Sequence, residues 1–530
     1  MTDWHAHLII GPIILPMMIA SIMLLIDERR RLLKASLSLG AMASILVMAL
    51  ILLHESANAA GGGDTARVYQ LGSWAAPYGI VLVADRLSSM MVALTSVLAA
   101  CALIFALARW DRAGPRFHAL FLMLIMGVNG ALLTGDLFNL FVFFEVMLAA
   151  SYGLALHGSG EARVRAGMLY IAVNLTASLL VLIGVSLVYG VTGTLNMADL
   201  AVRVPLIAAD DLGLFHVAAA VLGTAFLIKC AMWPLGFWLT STYAAASAPA
   251  AAVFAILSKV GVYVIIRLSL LLFGAGAGAS AGFGLTWLMA GGLATVAFGT
   301  FGLIASRDLP RAAGFGVMIS SGTVLAILGV GDTAALSGAL FYLIGSTLAC
   351  AALFLLAEIL QRGREPDTGD ARAVFDDEYR DPFDDDERNE PGLVIPAAVA
   401  ALGGAFLICT LMVAGMPPLA GFVGKLAMID ALVRVGGPPE WTLVAVLSLS
   451  SLGALIGLTR LGVGAIWTRD EDAPAFVVGA AELTAVAALL GACVLLAVFA
   501  GSALIYTDHT AAWLADPQGY IHAVLGGGGR

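Results

Sequence analysis

Apolar runs of about twenty residues follow one another along nearly the whole chain, each long enough to cross a hydrocarbon layer about 30 Å thick as a helix. They lie near residues 8–26, 33–53, 80–106, 117–134, 137–157, 166–189, 213–246 and 249–273, then 284–305, 311–330, 334–360, 393–434, 441–466 and 476–506, about fourteen in all. Of the 530 residues 61% are hydrophobic and 12% charged, against roughly 25% charged in an ordinary soluble protein. A cytosolic globular fold is excluded, and the sequence reads as an all-α polytopic membrane protein. Asp3 precedes the first run and Arg29, Arg30 and Arg31 follow it, the reverse of a secretory signal, so the first span is expected to be retained.

Cytoplasmic loops retain Lys and Arg. Loops after odd-numbered runs hold Arg29, Arg30, Arg31, Lys34, Arg109, Arg112, Arg116, Arg163, Arg165, Arg307, Arg311, Arg362, Arg364, Arg372, Arg380, Arg388, Arg460 and Arg469. The opposite side holds Arg67, Arg203, Arg434 and Arg530. Both termini are therefore expected outside, periplasmic or extracellular. Most of the acid behind the net charge of −9 sits in one polar loop, Gln361 to Glu390. It reads as a flexible cytoplasmic excursion, either a solvated tether or a site that docks a partner or gathers cations. No basic stripe suggests nucleic acid. Cys101, Cys230, Cys350, Cys409 and Cys493 fall in apolar stretches without metal spacing and read as packing residues. No metal or cofactor site, phosphate-cradling loop or nucleophile–base pair can be assembled.

Two long runs are interrupted by similar segments, Met232-Trp233-Pro234-Leu235-Gly236-Phe237 and Met416-Pro417-Pro418-Leu419-Ala420-Gly421-Phe422. Proline removes a helical hydrogen bond, so Pro234, Pro417 and Pro418 mark helix breaks. Paired breaks in corresponding halves point to repeats around a transport site. Lysine is scarce, with Lys34, Lys229, Lys259 and Lys425 beside 23 arginines, and three of the four lie inside spans. Lysine can give up its proton when desolvated, whereas arginine stays charged. Glu145 lies about halfway through its span, and a lone carboxylate there costs several kcal/mol. Lys229 is its expected partner, as a proton-switching pair or as a purely structural ion pair. Lys259 extends the polar line into the next span, and Lys425 either continues it or caps carbonyls freed by the second break. Asp136 reads as a helix-end residue or an uptake group, and Asp85 is expected to pair locally with Arg86.

The stretches Leu71-Gly72-Ser73-Trp74 to Asp85-Arg86-Leu87-Ser88, Gly135-Asp136-Leu137-Phe138-Asn139 to Glu145, Phe226-Leu227-Ile228-Lys229, Leu257-Ser258-Lys259 and Gly415-Met416-Pro417-Pro418 to Lys425 resemble the antiporter-like family shared by respiratory complex I and the multisubunit Mrp antiporters. The long acidic loop and Ile319-Ser320-Ser321-Gly322-Thr323 look most like the Pha-type Mrp monovalent cation/proton antiporters. The resemblance covers nearly the whole chain. It implies fourteen helices with spans four to eight and nine to thirteen as inverted five-helix repeats, each containing one broken helix. The implied units are 1–110 (helices 1–3), 111–275 (first repeat), 280–470 (second repeat, carrying the acidic loop 361–391) and 471–530 (helix 14 and tail).

It further implies proton translocation through Glu145, Lys229, Lys259 and Lys425. The setting would be a hetero-oligomeric complex of a bacterial inner membrane that exchanges H+ for Na+ or K+. The alternative is a proton-pumping arm of a redox complex, and a rival of another class is an inert scaffold for transporting partners. The sequence departs from many relatives in its tenth and eleventh spans, where Ser320, Ser321, Thr323, Ser346 and Thr347 stand in place of His or Lys as candidate relays. Hydroxyls hold water but store no charge.

Overall fold

The computed structural model describes residues 7–58, 66–362, 396–467 and 478–526. Nearly all of the acidic loop lies outside the described residues. Two helices, α1 (Gly11–Leu25) and α2 (Arg31–Asn58), precede an antiparallel hairpin of β1 (Arg67–Gln70) and β2 (Val81–Ala84), in which Arg67 faces Ala84 and Gln70 faces Val81. Then come α3 (Arg86–Ala106), α4 (Phe117–Leu133), α5 (Leu137–Ala155), α6 (Glu161–Thr192), the short α7 (Met197–Arg203), α8 (Ala209–Lys229), α9 (Leu239–Ala245) and α10 (Ala248–Phe273). The second half comprises α11 (Leu285–Ala305), α12 (Leu309–Val330), α13 (Thr333–Arg362), α14 (Pro396–Ala414), α15 (Ala420–Val435), α16 (Pro438–Gly462), α17 (Ala480–Val498), α18 (Ala500–Ala515) and α19 (Gln518–Leu525). Among the described residues eleven helices are long and apolar enough to cross a membrane, and Gly11–Leu25, Phe117–Leu133 and Val399–Ala414 are shorter apolar helices.

A helix that is apolar all round is either enclosed by other helices or faces lipid, and burial separates the two kinds. In α3, α10, α12 and α13 at least 83% of the apolar window is buried, against at most 39% in α2, α6, α8, α11, α16 and α17. The first four form the centre of the bundle and the others its periphery.

Two expected spans change at their ends. The run at 80–106 begins as the buried strand Val81–Ala84, because Asp85 stops it and starts the helix. The Asp85 side chain accepts from Ser88 N while Ser88 Oγ accepts from Asp85 N, a reciprocal cap. The run at 476–506 divides at Phe499, where the backbone leaves helical values between α17 and α18.

The local Asp85–Arg86 pair does not form. Asp85 is fully buried and pairs with Arg267 of α10, Oδ2 to NH1 at 2.5 Å and Oδ1 to NH2 at 2.8 Å. Arg86 instead donates to Ala57 O at 3.0 Å. Arg267 reaches one carboxylate oxygen with each of its two guanidinium nitrogens, whereas the Arg86 guanidinium is taken up at Ala57 O and by the Tyr506 ring.

Removing one partner of such a pair leaves an uncompensated buried charge. Arg267→Met is expected to destabilise the chain by about 3–5 kcal/mol, while Asp85→Asn combined with Arg267→Met keeps the cap and recovers most of that. Thermal unfolding in detergent measures both, and equal losses for the single and double variants would contradict the assignment.

Candidate functional site

The first half presents Glu145 and Lys229 from packed helices. Asp136 caps α5, its Oδ1 accepting from Asn139 N at 2.8 Å. Burial pushes the Asp136 carboxyl above its usual range, opposed by the N–H groups of Asn139 and Phe138. Close approach of α4 to α5 depends on Gly127, where a Cβ would meet Met147 N at 2.6 Å. Glu145 is partly exposed, on the face of α5 that also exposes Phe138 and Val142, while its Oε1 is buried without a hydrogen-bond partner.

Lys229 is the last residue of α8, and its Nζ donates to Ser178 Oγ of α6 at 3.3 Å and lies 5.0 Å from the Phe144 ring centroid. The expected direct ion pair is replaced by this hydroxyl and ring.

Helix breaks inside a bundle need every freed backbone group satisfied, and here both breaks solve the problem alike. At the first, Ala231 has φ 57°, Ala231 N donates to Ile228 O at 3.0 Å, and Met232 N donates to Leu227 O at 3.0 Å. At the second, Gly415 has φ 71°, Gly415 N donates to Met412 O at 3.2 Å, and Met416 N donates to Leu411 O at 2.9 Å. This is the left-handed helix cap with its paired hydrogen bonds, placed identically on the two similar segments of the sequence. Trp233 N donates onward to Thr295 Oγ1 of α11 at 2.9 Å, and Trp238 Nε1 donates to Ile228 O at 3.2 Å.

Lys425 sits in the first turns of α15 and its Nζ donates to Ala414 O at 3.0 Å and to Ser451 Oγ of α16 at 2.7 Å, with the Tyr342 ring centroid 5.8 Å away. Capping of a freed carbonyl is thus part of its geometry. Lys259, 1% exposed, bridges α10 to α12 by donating to Val317 O at 3.2 Å and Ser321 Oγ at 2.8 Å. Ser320 meets Ser346 of α13, oxygen to oxygen, at 2.6 Å. Thr323 and Thr347 turn back onto their own helices, donating to Ile319 O and Leu343 O. The structure therefore joins Lys259 to Ser321 and Ser320 to Ser346, and turns the hydroxyl protons of the two threonines onto their own helices.

Three buried lysines share one coordination type, neutral oxygens and no carboxylate in contact. Ser178, Ser451 and Tyr342 carry no signal in the sequence, since hydroxyls in apolar helices commonly satisfy themselves on the preceding turn. Among the described residues no three His, Cys, Asp or Glu side chains are grouped to hold a metal ion.

Residues 134–453 match the family described as NADH:quinone oxidoreductase/Mrp antiporter, TM. The chain is 50% identical over 534 residues to the D component of the probable K(+)/H(+) antiporter of Rhizobium meliloti, covering 99% of this chain and 98% of that one. It is 33% identical to the D component of the Na(+)/H(+) antiporter of Alkalihalophilus pseudofirmus, over 98% of this chain and 99% of the other. A chain of the Mrp complex from Dietzia sp. DQ12-45-1b superposes with TM-score 0.82 at 27% identity, covering 99% of this chain and 100% of that one. Helical architecture, paired breaks and full-length similarity agree: the chain belongs to the NADH:quinone oxidoreductase/Mrp antiporter family of multi-pass membrane proteins, beside the D components of these antiporters.

Proposed function

We propose that this chain is the proton-translocating component of a multisubunit Na+(K+)/H+ antiporter, with Lys229 and Glu145 as the switching pair and Lys259 and Lys425 further along the path. The observation that carries the reading is the shared environment of the three lysines. Each ammonium is buried and held by uncharged oxygens, on Ser178, on Ser321 and Val317, and on Ser451 and Ala414. A hydroxyl accepts from an ammonium and donates to a neutral amine, so the contacts to Ser178, Ser321 and Ser451 can persist whether or not the lysine carries its proton. A carboxylate ligand would favour the charged state alone.

Glu145 is partly exposed, on a face of α5 open to a neighbouring protein of the complex, and this supports a role that is completed in assembly. The two relatives are components of antiporters, one for K+ and one for Na+, and the similarity to them favours antiport over a redox pump. The driving force is the proton gradient and membrane potential, about 2.3 kcal/mol per charge per 100 mV. The positive-inside count supports both termini on the outer face, in a bacterial inner membrane.

The decisive substitution is Lys229→Arg in the assembled complex, assayed as Na+- or K+-driven proton exchange in everted vesicles. Guanidinium keeps the charge and cannot release its proton, so the complex is expected to assemble and to be nearly inactive. Glu145→Gln is expected to give the same result, and Lys259→Arg a milder one. Substantial exchange by Lys229→Arg would assign the lysine a structural role. The chain purified alone is expected to be inactive in cation-dependent exchange.

Asp136 separates cap from uptake. Asp136→Asn keeps the capping oxygen, whereas Asp136→Ala loses about 1 kcal/mol of helix capping. If Asp136 takes up protons, Asp136→Asn loses exchange at normal thermal stability. If it only caps, exchange stays near that of the unmodified complex.

A further inference from the structure

The link between α9 and α10 is only Ala246 and Ser247, and it joins the broken helix that carries Lys229 to the helix that carries Lys259. Ser247 occupies the N-cap position of α10, yet its side chain makes no capping bond and its buried Oγ has no partner. The capping oxygen comes from another helix. Glu358 of α13 accepts from Ala248 N through Oε2 at 3.3 Å. On the other side of the link, Arg163 of α6 donates through Nε to Ala245 O, the last carbonyl of α9, at 2.9 Å.

Trp110 ties the two charges together. Its indole N–H donates to both Glu358 oxygens, at 2.9 and 2.8 Å, and the Arg163 guanidinium lies 4.9 Å from its ring centroid. An anion therefore holds the N–H that opens α10, and a cation holds the carbonyl that closes α9.

We propose that Arg163, Trp110 and Glu358 form a clamp that makes α9 and α10 move as one body, so that a rearrangement at the Lys229 break reaches Lys259; Arg163 and Glu358 are positioning residues of transport. This rests on the proton-path reading above. The far part of α10 is pinned by Asp85 at Arg267, eight residues beyond Lys259 and about 12 Å along the axis. A tilt of about 5° around that pin displaces the Lys259 backbone by about 1 Å, enough to break a 2.8 Å contact with Ser321. Release of the clamp leaves α9 and α10 joined through the Tyr243 hydroxyl on Phe254 O at 2.7 Å and loosens, without touching either lysine, the coupling of Lys259 to the break.

Two near-isosteric substitutions at Glu358 test it in the complete complex, in everted vesicles, with potassium and sodium as the driving cations. Glu358→Gln keeps an oxygen for Ala248 N and for the indole but has no charge. Glu358→Asp keeps the charge and withdraws it by one methylene from Ala248 N. The clamp predicts that Glu358→Gln stays within about twofold of the unmodified maximal rate, whereas Glu358→Asp falls at least about fivefold with an unchanged half-saturating cation concentration.

Arg163→Ala is expected to resemble Glu358→Asp, and combining the two to be no worse than the more damaging single change, because both disable one unit. The opposite order, an inactive Glu358→Gln with an active Glu358→Asp, overturns the clamp and makes Glu358 a proton carrier. Full activity of both, multiplicative losses in the double variant, or failure of Glu358→Gln to assemble also overturns it. Lys229→Arg, measured in parallel, separates this inference from its foundation: exchange that survives Lys229→Arg defeats the proton-path reading, whatever the Glu358 pair shows.

Discussion

A polar group enclosed among apolar helices finds its partner inside the protein or costs several kcal/mol, and α10 shows how much of this fold follows from that demand. It is one of the four central helices, and it carries both Lys259 and Arg267. Each charge fixes it to a different neighbour: Lys259 to α12 through Val317 and Ser321, Arg267 to the cap of α3 through Asp85. Tyr263, between them, donates to Leu132 O of α4 at 2.7 Å. Apolar packing alone tolerates sliding and rotation, since lipid and leucine offer similar contacts. These directional bonds set the register of the centre, and the peripheral helices pack around it.

The same demand explains why the two breaks look alike. Ending a helix in mid-bundle leaves carbonyls without donors, and the left-handed cap recovers two of them locally. Gly415 adopts the positive φ without steric cost, whereas Ala231 does so against the preference of an L-residue. Side chains complete the accounting differently: the Trp238 indole at Ile228 O in the first break, the Lys425 ammonium at Ala414 O in the second. Lys425 is thus both a structural donor and the candidate proton site. Any loss of its proton leaves Ala414 O dependent on a weaker neutral donor, which ties the charge state of α15 to the geometry of its break.

Much of this is legible in the sequence because apolar runs, proline and lysine carry their meaning locally. The spans, both breaks and the three intramembrane lysines need no long-range information. The Asp85 partner does: Arg86 is adjacent, while Arg267 is 182 residues away and reaches it only through the packing of α10 on α3. A signal exists, since Arg267 stands in an apolar run just as Lys229 does, but an arginine in such a chain reads first as a marker of topology. Glu145 and Lys229 stand on helices that meet at Phe144 and Phe226, yet spacing along two helices does not reveal that Ser178 and the Phe144 ring meet the ammonium first. Hydroxyls are the least legible, because Thr323 and Thr347 bonded to their own backbone and Ser320 and Ser321 bonded across helices look the same in one dimension.

The distribution of charge along this line has a consequence for how the halves divide labour. Glu145, Lys229 and Lys259 lie in the first half and Lys425 alone in the second, while on α12 and α13 the hydroxyl of Ser321 meets Lys259 and those of Ser320 and Ser346 meet each other. A hydroxyl passes a proton by accepting one and donating another, and it cannot hold the charge in between. If protons follow this line, they reside on the lysines and cross the α12–α13 layer only in transit. Charge storage then belongs to the two broken helices and to α10, and the serines set the resistance between them. Rigid coupling of α10 to the first break becomes a requirement of such a design, because a relay without stored charge conducts only while its end groups are held in place.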